Sequence, residues 1–136
     1  MTDLAWRPRP FLIKQEAICT PDKRQLLETD GFYPSGHSAI GRGWALIMSQ
    51  LAPERAEALL ARGRDSARSR MVCDVHWMSN TEAGMTVGAA AVARLQNNEL
   101  FQATMAAARA ELRSATGSAP DADACEQEAA TLALSD

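Results

Sequence analysis

Apolar residues recur at helical spacing along most of this chain. Between residues 37 and 51 they repeat at intervals of three and four positions, which places them on one face of a helix. The residues on that face are Ile40, Trp44, Ile47, Met48 and Leu51. The same spacing predicts further helices over residues 54–68, 80–95 and 99–114.

A further helix is predicted from Thr20 to about Thr29. Thr20 is a typical N-cap residue, Pro21 suits the first helical position, and Asp22 places a carboxylate in the first turn. Gly31 is the expected C-terminal stop, because glycine adopts the left-handed conformation that commonly ends a helix.

Two breaks separate the long helices. Residues 34–36 predict a turn before the helix that starts near His37, and residues 69–79 are expected to connect two helices. Ser79, followed three residues later by Glu82, is typical of a capping box. Because Ala, Leu and Arg are abundant and β-branched residues are scarce, the chain is predicted to be all-α, a bundle of about five helices.

Composition divides the chain into a body and a tail. The body, residues 1–115, is long enough for one domain with a single apolar core. Residues 116–136 hold five acids and no base, which is typical of a mobile tail, and a short helical piece is predicted near Glu126–Leu134. Residues 1–114 carry 14 basic and 12 acidic side chains, a surplus of +2 that suits a small anion but is too weak to indicate nucleic acid. No apolar run reaches the roughly 18 residues of a membrane span.

The chain has two histidines, and each lies in a segment suited to binding phosphate. His37 ends the run Pro34-Ser35-Gly36-His37, in which a glycine-containing turn enters a helix. Backbone N–H groups and the helix dipole favour an anion at such a helix start. A protonated His37 at this place can donate a proton to a leaving-group oxygen.

The second histidine follows an arginine. Arg70 comes directly after Ser69, and five residues separate it from His76. A guanidinium binds phosphate oxygens in pairs, and a neutral imidazole is a good nucleophile towards phosphorus. Taken singly, each segment also fits an ordinary helix end with a surface or structural histidine. Their joint occurrence is far more specific, because it uses both histidines of the chain.

An Arg9-Pro10 pair completes a pattern of three motifs, and the chain resembles the class A bacterial non-specific acid phosphatases. These belong to the type 2 phosphatidic acid phosphatase superfamily, which shares its site with vanadium haloperoxidases. Its motifs are Lys-x6-Arg-Pro, Pro-Ser-Gly-His and Ser-Arg-x5-His-x3-Asp. Arg9-Pro10 matches the end of the first, residues 34–37 match the second in full, and residues 69–76 match the start of the third. The resemblance covers roughly residues 7–113 and implies the C-terminal part of that helical fold.

The resemblance implies a role for each matched residue. His76 is expected to be the nucleophile and His37 the general acid. The implied phosphate-binding groups are Arg9, Ser35, Gly36 and Arg70. No metal and no cofactor are expected, since guanidinium and amide groups neutralise the developing charge, although phosphate or vanadate can occupy such a site. The implied partner is a small phosphomonoester.

Cysteine usage bears on the compartment. Within the resemblance, Cys19 and Cys73 stand where a disulfide is plausible, which implies an oxidising compartment such as the periplasm, and Cys125 lies in the tail. The first six residues have neither the basic nor the apolar part of a secretory signal. We therefore expect a mature periplasmic form or a fragment, or a cytoplasmic protein if the chain is a complete gene product.

Two motif positions depart from the family pattern. Thr2 stands where the first motif has Lys, and Asn80 stands where the third has Asp. The family's Asp holds the other ring nitrogen of the nucleophile, fixes its tautomer and stabilises the imidazolium. Asn carries no charge, and the same change in a comparable His–Asp pair costs about 10⁴ in rate. Asn80 is also a good helix N-cap, so the fold is expected to tolerate it.

The chain is shorter than the family's domain, which has helices before the first motif. The apolar surface left exposed is expected to be buried by self-association, so a homo-oligomer is predicted. Two functions remain open: an acid phosphatase of reduced rate, and a catalytically weak or inactive phosphate-binding relic. A vanadate-dependent peroxidase is a third and less favoured alternative, because the sequence context resembles the phosphatases more.

Overall fold

The computed structural model describes residues 7–30, 33–117 and 120–133, without the side chains of residues 131 and 132. Every regular element within these ranges is helical, so the all-α prediction is confirmed. The α-helices are α1 (Pro10–Lys14), α2 (Arg24–Thr29), α3 (Gly36–Leu51), α4 (Ala56–Val72), α5 (Met78–Leu95), α6 (Glu99–Ser114) and α7 (Ala122–Ala133). Single 3-10 turns, Pro21–Lys23 and Pro53–Arg55, lead into α2 and α4.

The helix predicted from Thr20 is split in two. Thr20 precedes the 3-10 turn without a side-chain capping hydrogen bond, and α2 begins only at Arg24. The predicted stop, Gly31, lies outside the described residues. The sequence did not predict α1, because Pro8 and Pro10 interrupt the apolar pattern. Pro10 nevertheless lies in the first turn of α1, where a proline removes no intrahelical hydrogen bond.

The boundaries of α3 and α6 agree with the predictions to within one residue. α3 begins at Gly36 behind Ser35, whose side chain accepts a hydrogen bond from Ser38 N–H. α6 begins behind Asn98, whose side chain accepts from Phe101 N–H. Both caps satisfy an N–H group that has no partner within the first turn of its own helix.

Helix α4 is longer than predicted. It continues to Val72, so Ser69 and Arg70 lie on the helix and not in a connection. The difference matters for the candidate site, because a helical backbone fixes where the Arg70 side chain starts. Arg70 also lies in the last turn, where the helix dipole favours a cation.

The capping box predicted for α5 is wrong. The helix begins at Met78 behind Trp77, and no side chain caps it. The Ser79 hydroxyl accepts a hydrogen bond of 2.9 Å from Arg7, so it serves a tertiary contact and not the helix start. Asn80, expected as an N-cap, is the third residue of the helix.

Helix α3 is the centre of the bundle and packs against both α4 and α5. Glycines allow the helices to approach closely. A Cβ added at Gly88 on α5 would lie 2.2 Å from Ala39 O on α3, and one added at Gly63 on α4 would lie 2.5 Å from Ala45 Cβ. Real Cβ atoms essentially never lie so close to another atom, so both helix interfaces require glycine, which has no side chain, at these positions.

Residues 7–30, called the Arg9 segment below, lie beside the turn that follows α4. Phe11, Ile18 and Val75 are buried together. The Phe11 N–H donates a 3.0 Å hydrogen bond to Asp74 O, which joins the backbones of the segment and the turn. The segment therefore has its own small apolar core next to the third motif.

The Arg9 segment is also tied covalently to the end of α4. A disulfide joins Cys19 to Cys73 across 54 positions of sequence. This is the pairing that the family resemblance implied, and Cys125 is free and exposed. Further along the turn, Trp77 Nε1 donates to Pro8 O at 2.9 Å.

The apolar stripe of α3 is not buried along its length. Ile40, Trp44 and Met48 are 56%, 70% and 41% exposed. The buried positions of α3 are small residues, Ser38 and Ala45. Helical spacing thus identified the helix correctly, whereas the side chains that pack against α4 and α5 are the small ones.

The tail contains more helix than predicted. α7 begins at Ala122, four residues before the predicted start near Glu126, and Glu128 forms a 2.8 Å ion pair with Arg62 on α4. In the part of the chain that is described, no helix has both the length and the apolar character needed to cross a membrane.

Candidate active site

All three motif segments meet at one pocket of about 350 Å³. The Arg9 segment, the start of α3 and the end of α4 with its following turn each contribute side chains or backbone. The lining residues are Arg9, Leu27, Asp30, Pro34, Gly36, His37, Ile40, Arg70 and His76. Of the seven predicted site residues, this pocket brings together five, and the other two, Ser35 and Asn80, are fully buried and do not line it.

His76 is held by the end of α4. Its backbone N–H and that of Val75 both donate to Arg70 O, at 3.1 and 3.2 Å. This turn links the position of the imidazole to the residue that carries the neighbouring guanidinium. His76 is 5% exposed, so its ring is nearly removed from water while it still borders the pocket.

The surroundings of His76 favour the neutral imidazole. Burial lowers its pKa to about 4, and the positive charges of Arg9 and Arg70 and the neighbouring His37 act in the same direction. Arg9 Nη1 lies 3.4 Å from His76 Nε2. Because a guanidinium can only donate, this contact suits a ring with its lone pair on Nε2.

Arg9 is held mainly by acceptors from the protein itself. Its Nε donates to Leu27 O at 2.8 Å and its Nη1 donates to Val75 O at 2.9 Å. Its Nη2 lies 3.7 Å from the Asp30 carboxylate. Arg9 is 3% exposed, and burial lowers its pKa while Asp30 acts in the opposite direction. The guanidinium thus joins the Arg9 segment to the turn after α4 and contributes its charge to the pocket.

Arg70 differs from Arg9 in its hydrogen bonding. It extends from the last turn of α4, and burial lowers its pKa. Its Nε is buried and has no hydrogen-bond partner among residues 7–30, 33–117 and 120–133. A buried donor of this kind normally has an acceptor, so the geometry suits an oxyanion in the pocket.

The second motif forms the N-terminus of α3. Ser35 is fully buried, and its Oγ accepts from Ser38 N–H at 3.3 Å and from the Ser38 hydroxyl at 2.9 Å. Its side chain therefore caps the helix, and its predicted contact with phosphate stays a prediction. Gly36 and His37 are exposed and line the pocket. A Cβ at Gly36 would meet no atom within 4 Å, so the approach to the first N–H groups of α3 is open.

Asn80 lies in the first turn of α5 with its side chain fully buried. Its backbone carbonyl accepts a 3.0 Å hydrogen bond from Ser35 N–H. One turn further along α5, a Cβ at Gly84 would lie 2.3 Å from Ser35 O. The turn that carries His37 and the helix start that carries Asn80 are therefore in direct backbone contact.

The structure adds pocket residues that the motifs did not indicate. Leu27, Pro34 and Ile40 form an apolar side, and Asp30 adds a carboxylate. Nothing in the local pattern singles out Asp30, because a lone acid at the end of a short amphipathic helix is ordinary. Thr2, at the first motif's Lys position, lies outside the described residues.

The pocket has the parts needed to bind and attack a tetrahedral oxyanion. Two guanidinium groups and the start of a helix provide positive potential, and a buried neutral imidazole borders the same space. Among the residues described, no group of three or more His, Cys, Asp and Glu side chains is arranged to hold a metal ion. The expected absence of a cofactor stays a prediction.

Comparison with known protein families identifies the superfamily of the chain. Residues 2–99 match the PAP2 superfamily, which is most of the chain and includes all three motifs. The chain belongs to the PAP2 superfamily. The resemblance that the motifs indicated, to the class A bacterial acid phosphatases of this superfamily, is confirmed.

Several PAP2 relatives carry the name of acid phosphatase. The chain is 44% identical over 106 residues to a non-specific acid phosphatase of Salmonella typhi. The aligned region covers 78% of the chain and 42% of that protein. The chain is 40% identical over 124 residues to an acid phosphatase of Zymomonas mobilis, with 90% and 47% covered. A non-specific acid phosphatase of Providencia stuartii is 39% identical over 105 residues. The chain spans less than half the length of these relatives.

Within the PAP2 pattern, the pocket retains both histidines and both arginines. The Asn80 departure is at a completely buried position in the first turn of α5, four residues after His76. An uncharged amide therefore stands where the family motif has a carboxylate, at a place closed to solvent.

Proposed function

We propose that this chain hydrolyses small phosphomonoesters as an acid phosphatase, through a phosphohistidine at His76. The observation that carries the proposal is the meeting of His37, Arg70 and His76 with Arg9 in one pocket, although they come from three separate segments. The names of the relatives support the same activity.

The proposed first step is attack of His76 Nε2 on phosphorus. The N–P bond forms as the ester P–O bond breaks, and the leaving oxygen takes a proton from His37. Arg70, through its buried Nε, and the N–H groups at the start of α3 bind the phosphoryl oxygens as negative charge develops. The lowered pKa of His76 keeps it neutral, and therefore nucleophilic, in mildly acidic solution.

The proposed second step regenerates the imidazole. Water attacks phosphorus on the side opposite His76, the N–P bond breaks, and the water proton passes to His37. Inorganic phosphate then leaves the pocket. His37 is exposed at the pocket rim, which suits a group that exchanges protons with solvent.

We propose that the rate of hydrolysis is lower than it would be with Asp at position 80, because Asn80 offers no negative charge to an imidazolium formed at His76. In a comparable His–Asp pair the change from Asp to Asn costs about 10⁴ in rate. Thr2, at the position of the first-motif Lys, is proposed to add to this effect, since threonine carries no positive charge.

The activity is tested by hydrolysis of p-nitrophenyl phosphate between about pH 5 and 7, with His76→Ala beside the unaltered chain. We expect slow turnover that the substitution abolishes. Turnover that survives His76→Ala would contradict the mechanism. No turnover in either protein would contradict the phosphatase proposal for this chain.

The reason for slow turnover is tested by Asn80→Asp. We expect kcat to rise at least about 10-fold, because the carboxylate stabilises the imidazolium. Asn98→Asp is the matched control: it makes the same change at an exposed cap of α6, outside the residues that line the pocket, and should leave kcat unchanged. An equal response of both variants would show that Asn80 does not act through His76.

A second function is favoured by the exposed face of α3. Ile40, Trp44 and Met48 present apolar surface at i, i+4 and i+8, which suits a phosphate-binding relic that self-associates. The predicted homo-oligomer is tested by analytical ultracentrifugation of the chain and of Trp44→Ser. An oligomer that Trp44→Ser dissociates, together with no turnover in Asn80→Asp, would favour the relic.

A periplasmic location is proposed on the strength of the Cys19–Cys73 disulfide. Such bonds persist in oxidising compartments and are rare in the cytoplasm. Thiol labelling of the protein taken directly from cells tests this proposal: a single reactive thiol, that of Cys125, is expected.

A further inference from the structure

A carboxylate lies inside the proposed phosphate pocket. Asp30 lines the same space as both arginines, and its Oδ2 is 3.7 Å from Arg9 Nη2. Among the described residues that line this pocket, it is the sole acid. An acid in an anion site works against binding, so its presence there calls for a physical explanation.

Holding Arg9 in place does not require Asp30. The Arg9 guanidinium is already fixed by short hydrogen bonds to Leu27 O and Val75 O. The Asp30 contact is longer, and its side chain is 58% exposed. An exposed ion pair of this kind contributes little to stability.

The charge of Asp30 instead changes what the pocket attracts. Arg9 and Arg70 contribute two positive charges, Asp30 subtracts one, and His76 is neutral because of its lowered pKa. His37, the remaining titratable group among the described residues of the pocket wall, lies at the exposed rim. Whether or not His37 is protonated, the carboxylate makes the net charge of the pocket less positive by one elementary charge.

We propose that Asp30 is a charge-selecting residue that biases the pocket towards singly charged phosphoryl groups. The inference rests on the phosphatase proposal and names its substrate form. A fixed negative charge repels a dianion twice as strongly as a monoanion at the same distance. Phosphomonoesters lose their second proton near pH 6, so the selected form is the one that predominates in acidic solution.

The size of the effect follows from Coulomb's law. At a separation of about 6 Å and an effective dielectric constant of about 80, one neighbouring charge alters the affinity for a monoanion about 3-fold. The affinity for a dianion then alters about 10-fold, because the logarithm doubles. Removing the Asp30 charge should therefore favour the dianion over the monoanion by about 3-fold.

Two tetrahedral oxyanions of similar size test the charge preference without turnover. Sulfate is a dianion and perchlorate a monoanion at neutral pH. Their dissociation constants are measured at one ionic strength by NMR titration, using the imidazole signals of the chain's two histidines. Asp30→Asn is the test variant, because it removes the charge and keeps the shape.

The matched controls are Asp30→Glu and Asp22→Asn. Asp30→Glu keeps the charge at the pocket and should keep the unaltered ratio of affinities. Asp22→Asn removes one exposed carboxylate from the same segment, where Asp22 pairs with Lys23 outside the pocket. It should leave the affinity ratio unchanged, because solvent and salt screen distant charges.

The expected result for Asp30→Asn is about 10-fold tighter sulfate and about 3-fold tighter perchlorate. Weaker binding of both anions would overturn the inference, since Asp30 would then be a positioning residue for Arg9. Equal gains or no gain would overturn it as well. If the unaltered chain bound neither anion, the proposed function would fail together with this inference, whereas the other failures leave the phosphatase proposal intact.

Discussion

Two regions each supply one arginine to the same pocket: the Arg9 segment supplies Arg9, and the bundle of α3, α4 and α5 supplies Arg70. The two regions are held in place in different ways. The segment depends on individual ties: a disulfide, the Phe11–Asp74 backbone hydrogen bond and the Arg9 hydrogen bonds to carbonyls. The helices depend on close packing at small residues such as Gly88.

The two arginines of the family pattern also differ in their hydrogen-bond partners. Arg9 is occupied with protein acceptors and fixes the segment, whereas the Nε of Arg70 has no such partner among the residues described. We therefore propose that Arg9 acts chiefly in assembling the site and Arg70 chiefly in binding the oxyanion.

The largest effect is expected from removing the disulfide. Replacing Cys19 and Cys73 together by Ala should lower the free energy of unfolding by about 4 kcal/mol, because the bond closes a long loop in the unfolded chain. Urea unfolding measures the change. Cys125→Ala is the control and should change little, because that cysteine is free and exposed. Equal stabilities of the double variant and the control would break the comparison.

A smaller effect is expected from pH, at the residue where the two regions meet. The pKa of His76 falls from about 6.5 when unfolded to about 4 in the fold. The unfolded state therefore takes up a proton first, so stability is fully present above pH 6.5 and declines as pH falls towards 4. The loss should reach at most about 3 kcal/mol.

Urea unfolding of the chain and of His76→Gln at several pH values tests this decline, which the variant should largely lose. Arg9→Gln and Arg70→Gln sharpen the comparison, since each removes a charge that lowers the His76 pKa and should raise it in NMR titration. Parallel pH profiles of the unaltered chain and His76→Gln would contradict the prediction.

The smallest effect is expected from the helix packing. Gly88→Ala should cost about 2 kcal/mol, because the new methyl group meets the Ala39 carbonyl oxygen and the backbones must separate. Gly43→Ala is the matched control on α3: its nearest neighbour is Val92 at 3.8 Å. That change should stabilise by about 0.5–1 kcal/mol, as alanine is the better helix former. Thermal unfolding measures both, and a loss at both positions would contradict the packing argument.

The sequence predicted the helical half of the molecule better than the Arg9 segment. Local signals were sufficient for α3 and α6, since the side chains of Ser35 and Asn98 cap the helices that directly follow them. The capping box at Ser79 failed because α5 already begins at Met78, and the Ser79 hydroxyl accepts from a tertiary partner, Arg7. Propensity describes a helix and its neighbours in sequence, not competition from residues that are distant along the chain.

The same limit applies to the site. The two histidine motifs were evident from the sequence, and the resemblance added Arg9. Asp30 was not predictable, because its proximity to Arg9 depends on how the segment folds back across the turn after α4. The exposed stripe of α3 shows the reverse case: Trp44 has the spacing of a core residue and is mostly exposed.

The contact between Ser35 and α5 limits how the pocket can adapt. Because Ser35 N–H bonds to Asn80 O and Ser35 O rests against Gly84, the His37 turn cannot move away from α5 without breaking both contacts. These two contacts therefore restrict movement of the turn that carries His37. If the chain hydrolyses phosphomonoesters as proposed, the apolar side formed by Leu27, Pro34 and Ile40 is where we expect the alcohol portion to lie, so substitutions there should alter which alcohol is accepted.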